Sequence, residues 1–200
     1  MTFSANLVSK PGCEIETLLS DGRPVCLRPI CPSDEPLIYK GIVELSDRSR
    51  YLRFFSAFRE PPEVVVKRLS AVDGHNHIGW GAILLDDRDN PPIAAAHAIR
   101  SNDDPSSGEL AIAVLDNYQR LGLARTLIAV LLNDCVKNNL HRLEMQIMSE
   151  NRGATNLARA LGAEQREDPG SVAYYVLNSE DALQRLTNNK VTQMLLKRCA

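Results

Sequence analysis

The chain of 200 residues has no apolar stretch long enough to cross a lipid bilayer. Its longest apolar runs, such as residues 127–132, are short, and the first ten residues contain no apolar core of signal-peptide length. The hydrophobic fraction of 44% and the charged fraction of 24% are those of an average soluble protein of one domain. We therefore expect a cytoplasmic protein that has no membrane partner.

A strong charge of either sign is also missing. The 23 basic and 25 acidic residues give a net charge of −2. Proteins that bind nucleic acid usually carry a basic face, which this balance does not supply. We therefore expect no nucleic-acid partner.

Paired cysteines and clusters of metal ligands are absent too. The five cysteines are Cys13, Cys26, Cys31, Cys135 and Cys199. An odd number without a knuckle spacing argues against both a disulfide framework and a zinc site, and favours reduced cysteines. Asp73, His75 and His77 lie close together, but no further ligand follows them at a recognisable spacing. The sequence predicts no metal site.

The hydrophobic periodicity predicts an α/β (α+β) fold in a single domain. The predicted strands are residues 23–30, 78–85, 93–99, 109–115, 142–148 and 171–177, and the predicted helices are 33–45, 47–55, one that begins at Pro61, 121–136, 152–161 and one that begins at 179. This order favours a mixed, mostly antiparallel central sheet with helices on both faces. We divide the chain into a tail (1–22), a domain (23–178) and a C-terminal helix (179–200).

The most informative segment is residues 108–126, in which a strand feeds a loop of small residues that opens a helix. Unpaired amides at a helix start, together with the helix dipole, form an anion site. Gly122 permits close approach of a phosphate, and Arg120 and Arg125 supply positive charge. An ordinary strand-to-helix turn remains the alternative. The segment lacks both the Gly-Lys-Ser/Thr of a triphosphate loop and the three glycines of a dinucleotide site.

This segment resembles a motif of the GNAT acyltransferase superfamily, Gln/Arg-x-x-Gly-x-Gly/Ala, which Gln119, Gly122 and Ala124 match. Further on, Asn151-x-x-Ala154-x-x-Leu157 with residues 161–163 resembles the second helix motif of that family. The resemblance implies that the pyrophosphate of acetyl-CoA lies on the loop amides and that the pantetheine arm pairs with the preceding strand. The implied cofactor-binding residues are Ile112, Val114, Gln119, Leu121, Gly122, Leu123, Ala124 and Asn151. For Asn151, a plain helix cap is the alternative.

Acyl transfer to an amine needs a base, because a free lysine has a pKa of about 10.4 and is protonated near neutral pH. Strand alternation puts Glu109 on one face with Ala111 and Ala113, where small side chains leave room for a substrate. From spacing alone, a solvated residue at the start of a strand is the favoured interpretation of Glu109. In the bacterial protein-lysine acetyltransferase branch of the superfamily, a glutamate at this offset is the proposed base. The segments 27–29 (Leu-Arg-Pro) and 49–55 resemble elements of that branch.

One departure concerns the acid that protonates the leaving thiolate. Many members have a tyrosine seven residues after the helix asparagine, and this chain has Ala158 there. Tyr174 and Tyr175 are alternative acids, although packing is the favoured role of both.

We therefore keep three hypotheses open. The first is an acetyl-CoA-dependent N-acetyltransferase that acts on a protein lysine, the second a small-molecule amine acetyltransferase, and the third an acyl-CoA sensor without catalysis.

The last predicted helix has an apolar stripe, which indicates either packing on the domain or the surface of a homodimer. The stripe consists of Leu183, Leu186, Val191 and Met194.

Overall fold

The computed structural model describes residues 15–85, 89–166 and 170–188, together with 193 and 196–197. Its strands are β1 (Ile15–Leu18), β2 (Pro24–Pro29), β3 (His77–Leu84), β4 (Pro92–Arg100), β5 (Ser107–Val114), β6 (Arg142–Met148), β7 (Glu164–Gln165) and β8 (Val172–Asn178). Its α-helices are α1 (Glu35–Glu44), α2 (Asp47–Phe54), α3 (Glu63–Ser70), α4 (Leu123–Lys137), α5 (Arg152–Ala160) and α6 (Ser179–Thr187).

The strands form one sheet in the order β1-β2-β3-β4-β5-β6-β8-β7. All neighbours are antiparallel except β5 and β6, which are parallel. That parallel pairing extends only from Ser107↔Arg142 to Glu109↔Glu144, whereas β5 pairs with β4 along almost its whole length. The remaining parts of β5 and β6 therefore diverge and leave a gap in the middle of the sheet.

One face of the sheet is covered by α4. The predicted four-residue spacing places Leu123, Leu127, Leu131 and Cys135 in the core, each at most 2% exposed. On the sheet, Trp80 of β3 is also buried, and its indole N–H donates to the Asp134 carboxylate of α4 at 2.8 Å. These contacts place the main hydrophobic core between α4 and the sheet.

The opposite face carries unusually small side chains and is covered by α1, α2 and α3. Register partners on adjacent strands share a face, so the pairs Gly79↔His97 and His97↔Ala111, like Gly81↔Ala95 and Ala95↔Ala113, lie on this side. A second, smaller core beneath the three helices consists of Ile30, Ile38, Ile42, Val66 and Leu69. Small side chains on the sheet leave space between the two layers.

The predicted fold class is confirmed: a single α/β domain with a mixed, mostly antiparallel sheet and helices on both faces. Residues 15–18 were wrongly placed in a tail, since they pair with β2 as strand β1 and bury Ile15 completely. The two-residue strand β7 was not predicted. The last helix is described as far as Thr187, where Leu186 is buried and α6 contacts α4.

Val191 and Met194 of the apolar stripe, most of the predicted tail, Cys13 and Cys199 lie outside the described residues. Within the described part of the chain, no helix is long and apolar enough to span a membrane.

Candidate active site

The divergence of β5 and β6 produces a cleft of about 170 Å³. Its walls are the second half of each strand, the C-terminal half of α2 and the first turns of α5. The predicted site residues Glu109, Ile112, Val114, Gln119 and Asn151 all line this cleft. The structure therefore brings together residues that are far apart in sequence.

Directly after the cleft-lining Gln119, the loop before α4 presents unpaired amides, although the predicted residues Leu121 to Ala124 do not themselves line the cleft. Gly122 has φ +83°, a left-handed conformation that favours glycine, and no atom lies within 4 Å of the position of an added Cβ. Among the described residues, the N–H groups of residues 121–124 have no hydrogen-bond acceptor. Four free amides at the start of a 15-residue helix are the arrangement that favours an anion, and anion binding at this loop stays a prediction.

Gln119 is exposed, but its side chain bonds to the protein. Its side-chain amide donates to the Val114 carbonyl at 3.1 Å and reaches the Ser49 hydroxyl at 3.5 Å. The carbonyl of Val114 is thus already occupied. Gln119 holds the end of β5 against the loop, a role that the motif alone does not reveal.

Asn151 is both the N-cap of α5 and part of the cleft wall. Its Oδ1 accepts from the Ala154 N–H at 3.1 Å, whereas its Nδ2 makes no hydrogen bond with any described residue. The two interpretations from sequence are therefore compatible, because one end of the amide caps the helix while the other remains available to a ligand.

Ala158 is completely buried and does not line the cleft. Tyr175 is also buried, and its hydroxyl donates to Gln165 at 3.1 Å, which agrees with a packing role. Tyr174 is 39% exposed and lies outside the cleft wall. Among the described residues, no tyrosine lines the cleft.

In the cleft wall, Glu109 is exposed and is the last residue of β5 that pairs with β6. Arg53 of α2 lines the same cleft and is half-buried. Burial lowers the pKa of Arg53 to about 10, although the negative charge of Glu109 acts in the opposite direction. The two charges are near enough to interact, but they make no ion pair among the described contacts.

The arginines of α2 differ in their burial and in their hydrogen-bond partners. From sequence we expect solvated arginines on this helix, but Arg50 is only 7% exposed. Its guanidinium donates to the carbonyls of Ile42, Val43, Leu45, Phe58 and Arg59. Arg50 therefore ties α2 to the end of α1 and to the loop that follows α2.

Sequence reasoning missed Asp116, which links α2 to the amide-rich loop. Its carboxylate accepts from the Ser46 N–H and from the hydroxyls of Ser46 and Ser49, at 2.7 to 3.1 Å. Burial raises the pKa of Asp116, but these hydrogen bonds together outweigh it, and the pKa lies below its ordinary value. The sequence feature that points to this link is Ser46-x-x-Ser49, a pattern typical of a helix N-terminus whose hydroxyls need a hydrogen-bond partner.

The histidine-rich turn is an internal hydrogen-bond network. Asp73 accepts from the backbone N–H groups of His75, Asn76 and His77 at 2.7 to 2.9 Å. His77 in turn contacts His97 through ring nitrogens 3.0 Å apart. Within the part of the chain that the structure describes, no group of three metal-ligating side chains occurs.

A mixed sheet that opens between two parallel strands, beside free amides at a helix start, defines an acyltransferase of the GNAT fold. The sequence model of the Acetyltransferase (GNAT) family matches residues 38–163, more than half of the chain. The protein belongs to this family of acetyltransferases, which use acetyl-CoA as cosubstrate.

Acetyltransferase Pat of Mycolicibacterium smegmatis is 30% identical over 147 residues, which are 73% of this chain and 43% of that protein. Acetyltransferase PA5475 of Pseudomonas aeruginosa is 25% identical over 151 residues, or 76% of this chain and 81% of that one. The chain therefore spans less than half the length of Pat.

Among solved structures, the GNAT domain of S. lividans PAT superposes with a TM-score of 0.74 at 21% identity, covering 82% of this chain and 96% of that one. A cAMP-binding acyltransferase from Mycobacterium smegmatis gives a TM-score of 0.58 at 20% identity, covering 88% and 55%. These likenesses establish the fold.

Proposed function

We propose that the protein transfers an acetyl group from acetyl-CoA to the side-chain amine of a protein lysine, with Glu109 as the general base. The observation that carries this proposal is the cleft between β5 and β6, which is lined by Glu109 and by Gln119 and is followed, directly after Gln119, by the loop of free amides at the start of α4. A donor with an anionic pyrophosphate and a reactive thioester at its far end matches that arrangement.

The donor's pyrophosphate binds the amides of residues 121–124, where the dipole of α4 adds to its attraction. Its pantetheine arm extends along the unpaired part of β5, where Ile112 and Val114 offer backbone groups. Because the Val114 carbonyl accepts from Gln119, pairing at this residue uses its N–H or displaces the glutamine side chain. Asn151 donates to the donor through its free Nδ2.

The thioester then lies near Glu109, which accepts a proton from the ammonium of the acceptor, directly or through water. The neutral nitrogen attacks the thioester carbonyl, the carbon–sulfur bond breaks, the new amide nitrogen loses its second proton to water, and coenzyme A leaves as a thiolate that water protonates. Water is assigned this last role because Ala158 is buried and no tyrosine lines the cleft among the described residues.

A lysine on a protein surface fits the exposure of Glu109, which lies at the open mouth of the cleft rather than in a closed pocket. Similarity to acetyltransferase Pat supports the transfer of an acetyl group. The segment 27–29, which resembles an element of the protein-lysine acetyltransferase branch, also has a structural role here. Arg28 forms a two-bonded ion pair with Asp34, at 2.7 Å for each bond, which fixes the start of α1.

The test is release of coenzyme A thiol from acetyl-CoA by wild type, E109Q and E144Q, with lysine-bearing proteins and a panel of small amines. Glu144 is the matched control, since it is the register partner of Glu109 on β6, is also exposed and lies outside the cleft wall. We expect E109Q to lower kcat about 100-fold while coenzyme A still binds, and E144Q to resemble wild type.

Equal turnover of E109Q and wild type would remove Glu109 from the role of base. Release that is fastest with a small amine would replace the protein lysine by that acceptor. Tight binding of coenzyme A without release for any acceptor would favour an acyl-CoA sensor.

A further inference from the structure

Arg53 lies where the donor cleft meets a second cavity. This apolar chamber of about 70 Å³ lies between the sheet and the helices α1 to α3. Leu45, Arg53 and Ala113 line both spaces, so a group held in the cleft is adjacent to the chamber.

The guanidinium of Arg53 has no fixed partner. Among the described residues it makes no hydrogen bond and no ion pair, and its one recorded contact is with the ring of Phe54, 4.8 Å from the centroid. By contrast, Arg28 and Arg50 on the same side of the sheet are fully engaged with a carboxylate and with five carbonyls. A half-buried guanidinium without an acceptor is costly, which indicates that a ligand supplies one.

Among the described residues that line the chamber, Arg53 is the one charged side chain that no opposite charge neutralises. Arg28 and Asp34 neutralise each other as an ion pair. The remaining titratable group is His97, which is 3% exposed and whose pKa lies well below its ordinary value because of burial and the nearby positive charge of Arg53.

The tautomer of His97 follows from its neighbours. A carbonyl only accepts, so His77 donates from Nδ1 to the Ala71 carbonyl and its Nε2 is an acceptor. His97 therefore donates from Nδ1 to His77, and its Nε2 carries no proton. The ring is held close to the sheet because Gly79 opposite has no side chain, and a Cβ there would lie 3.2 Å from the His97 Nδ1. A neutral, proton-free nitrogen cannot bind an anion, so Arg53 is the anion-binding group.

We propose that Arg53 binds a carboxylate at the end of a short acyl chain, so that the enzyme accepts dicarboxylic acyl thioesters such as succinyl-CoA. This inference rests on the proposed function, because it assumes that the donor occupies the cleft. The acyl chain would lie over the small residues Ala111 and Ala113, with its methylenes against apolar walls and its carboxylate on the guanidinium.

The alternative partner for Arg53 is a carboxylate of the acceptor, next to the lysine that is acylated. The donor is favoured because the chamber lies on the inner side of Arg53, under α1, whereas the acceptor arrives at the exposed mouth beside Glu109. The apolar walls of the chamber also suit the methylenes of an acyl chain better than a polar peptide.

The test compares succinyl-CoA with butyryl-CoA, which have equally long chains that differ in the terminal carboxylate, for wild type, R53Q, R53K and R48Q. Arg48 is the matched control, an exposed arginine on the same helix. We expect wild type to prefer succinyl-CoA in kcat/KM, and R53Q to lower the ratio of the two donors about 10- to 100-fold. R53K should retain part of the preference, and R48Q all of it.

An equal loss for both donors in R53Q, or a wild type that does not prefer succinyl-CoA, would overturn the inference. A second arm uses acetyl-CoA with lysine peptides flanked by alanine or by aspartate, and selective loss of the aspartate peptide in R53Q would place the carboxylate on the acceptor instead. If wild type transfers no acyl group at all, the proposed function fails. In that case, calorimetry measures the dissociation constants of the two thioesters for wild type and R53Q. The ratio of these constants still shows whether Arg53 binds the carboxylate.

Discussion

In the proposed donor site, Gly122 and its neighbours supply the amides that would bind an anion. The left-handed φ of +83° turns the chain so that consecutive amides face the same opening at the start of α4. Alanine in this conformation costs about 1–2 kcal/mol. The same residue therefore determines both the local stability of the turn and the affinity for a pyrophosphate.

We expect G122A to weaken coenzyme A binding at least about tenfold, because relief of the strain rotates amides away from the phosphates. Its matched control is G74A, since Gly74 has φ +78° and an equally open surrounding but lies in a turn outside the cleft. Titration calorimetry and thermal melting measure the two effects. Similar losses of stability in both variants with unchanged affinity in G122A would contradict a phosphate site at this loop.

Glu109 and Arg53 line the same cleft from different elements and differ in their exposure. Glu109 is where the pairing of β5 with β6 ends, so it borders the cleft and remains in contact with water. Arg53 reaches the same cleft from α2 but is half-buried. The base is thus available to an incoming amine, while the cation is placed against the interior.

The helices α1 and α2 are each fixed at their start by a carboxylate, which is buried for Asp34 and exposed for Asp116. Asp34, only 7% exposed, accepts two bonds from Arg28 and one from the Cys31 N–H at the entrance to α1. Asp116 similarly ties the start of α2 to the end of β5. The placement of the two helices therefore depends on two carboxylates that take no part in the proposed chemistry.

The Arg28–Asp34 pair predicts a pH dependence of stability. Burial acts to raise the pKa of Asp34, but the hydrogen bonds from Arg28 and Cys31 outweigh it and hold the pKa below its ordinary value. A depressed folded-state pKa stabilises the native state above the unfolded value of about 3.9, and this stabilisation is lost as the pH falls through the folded-state pKa.

We expect D34N to lose about 2 kcal/mol of unfolding free energy at pH 7 and to show a smaller decline than wild type below pH 4. Urea denaturation at several pH values measures both quantities. The control is D103N, which changes an exposed aspartate away from the pair. Parallel pH profiles for wild type and D34N would show that the pair does not link stability to protonation.

Much of the molecule follows from sequence because local patterns and tertiary structure agree. The four-residue apolar spacing of α4 predicted its buried face, and the strand–loop–helix pattern predicted the free amides. Strand β1 was missed because its four residues show no clear alternation, and pairing with β2 rather than local preference defines it.

The shape of the cleft was not predictable in the same way. The parting of β5 and β6 after Glu109 is a matter of register between strands distant in sequence, which no local pattern encodes. Arg50 and Arg53 lie three residues apart on one short helix, yet one binds carbonyls and the other lines the cleft. The carbonyls at the end of α1 and those of residues 58–59 engage Arg50 and not Arg53, which separates their roles.

The donor's place in the molecule is the central claim, and hydrogen exchange with and without coenzyme A tests it most directly. The claim predicts slower exchange for the amides of residues 121–124 and for the second half of β5, with little change in β1, β2 and β3. Protection confined to any other surface, or no protection at a saturating concentration of coenzyme A, would contradict it.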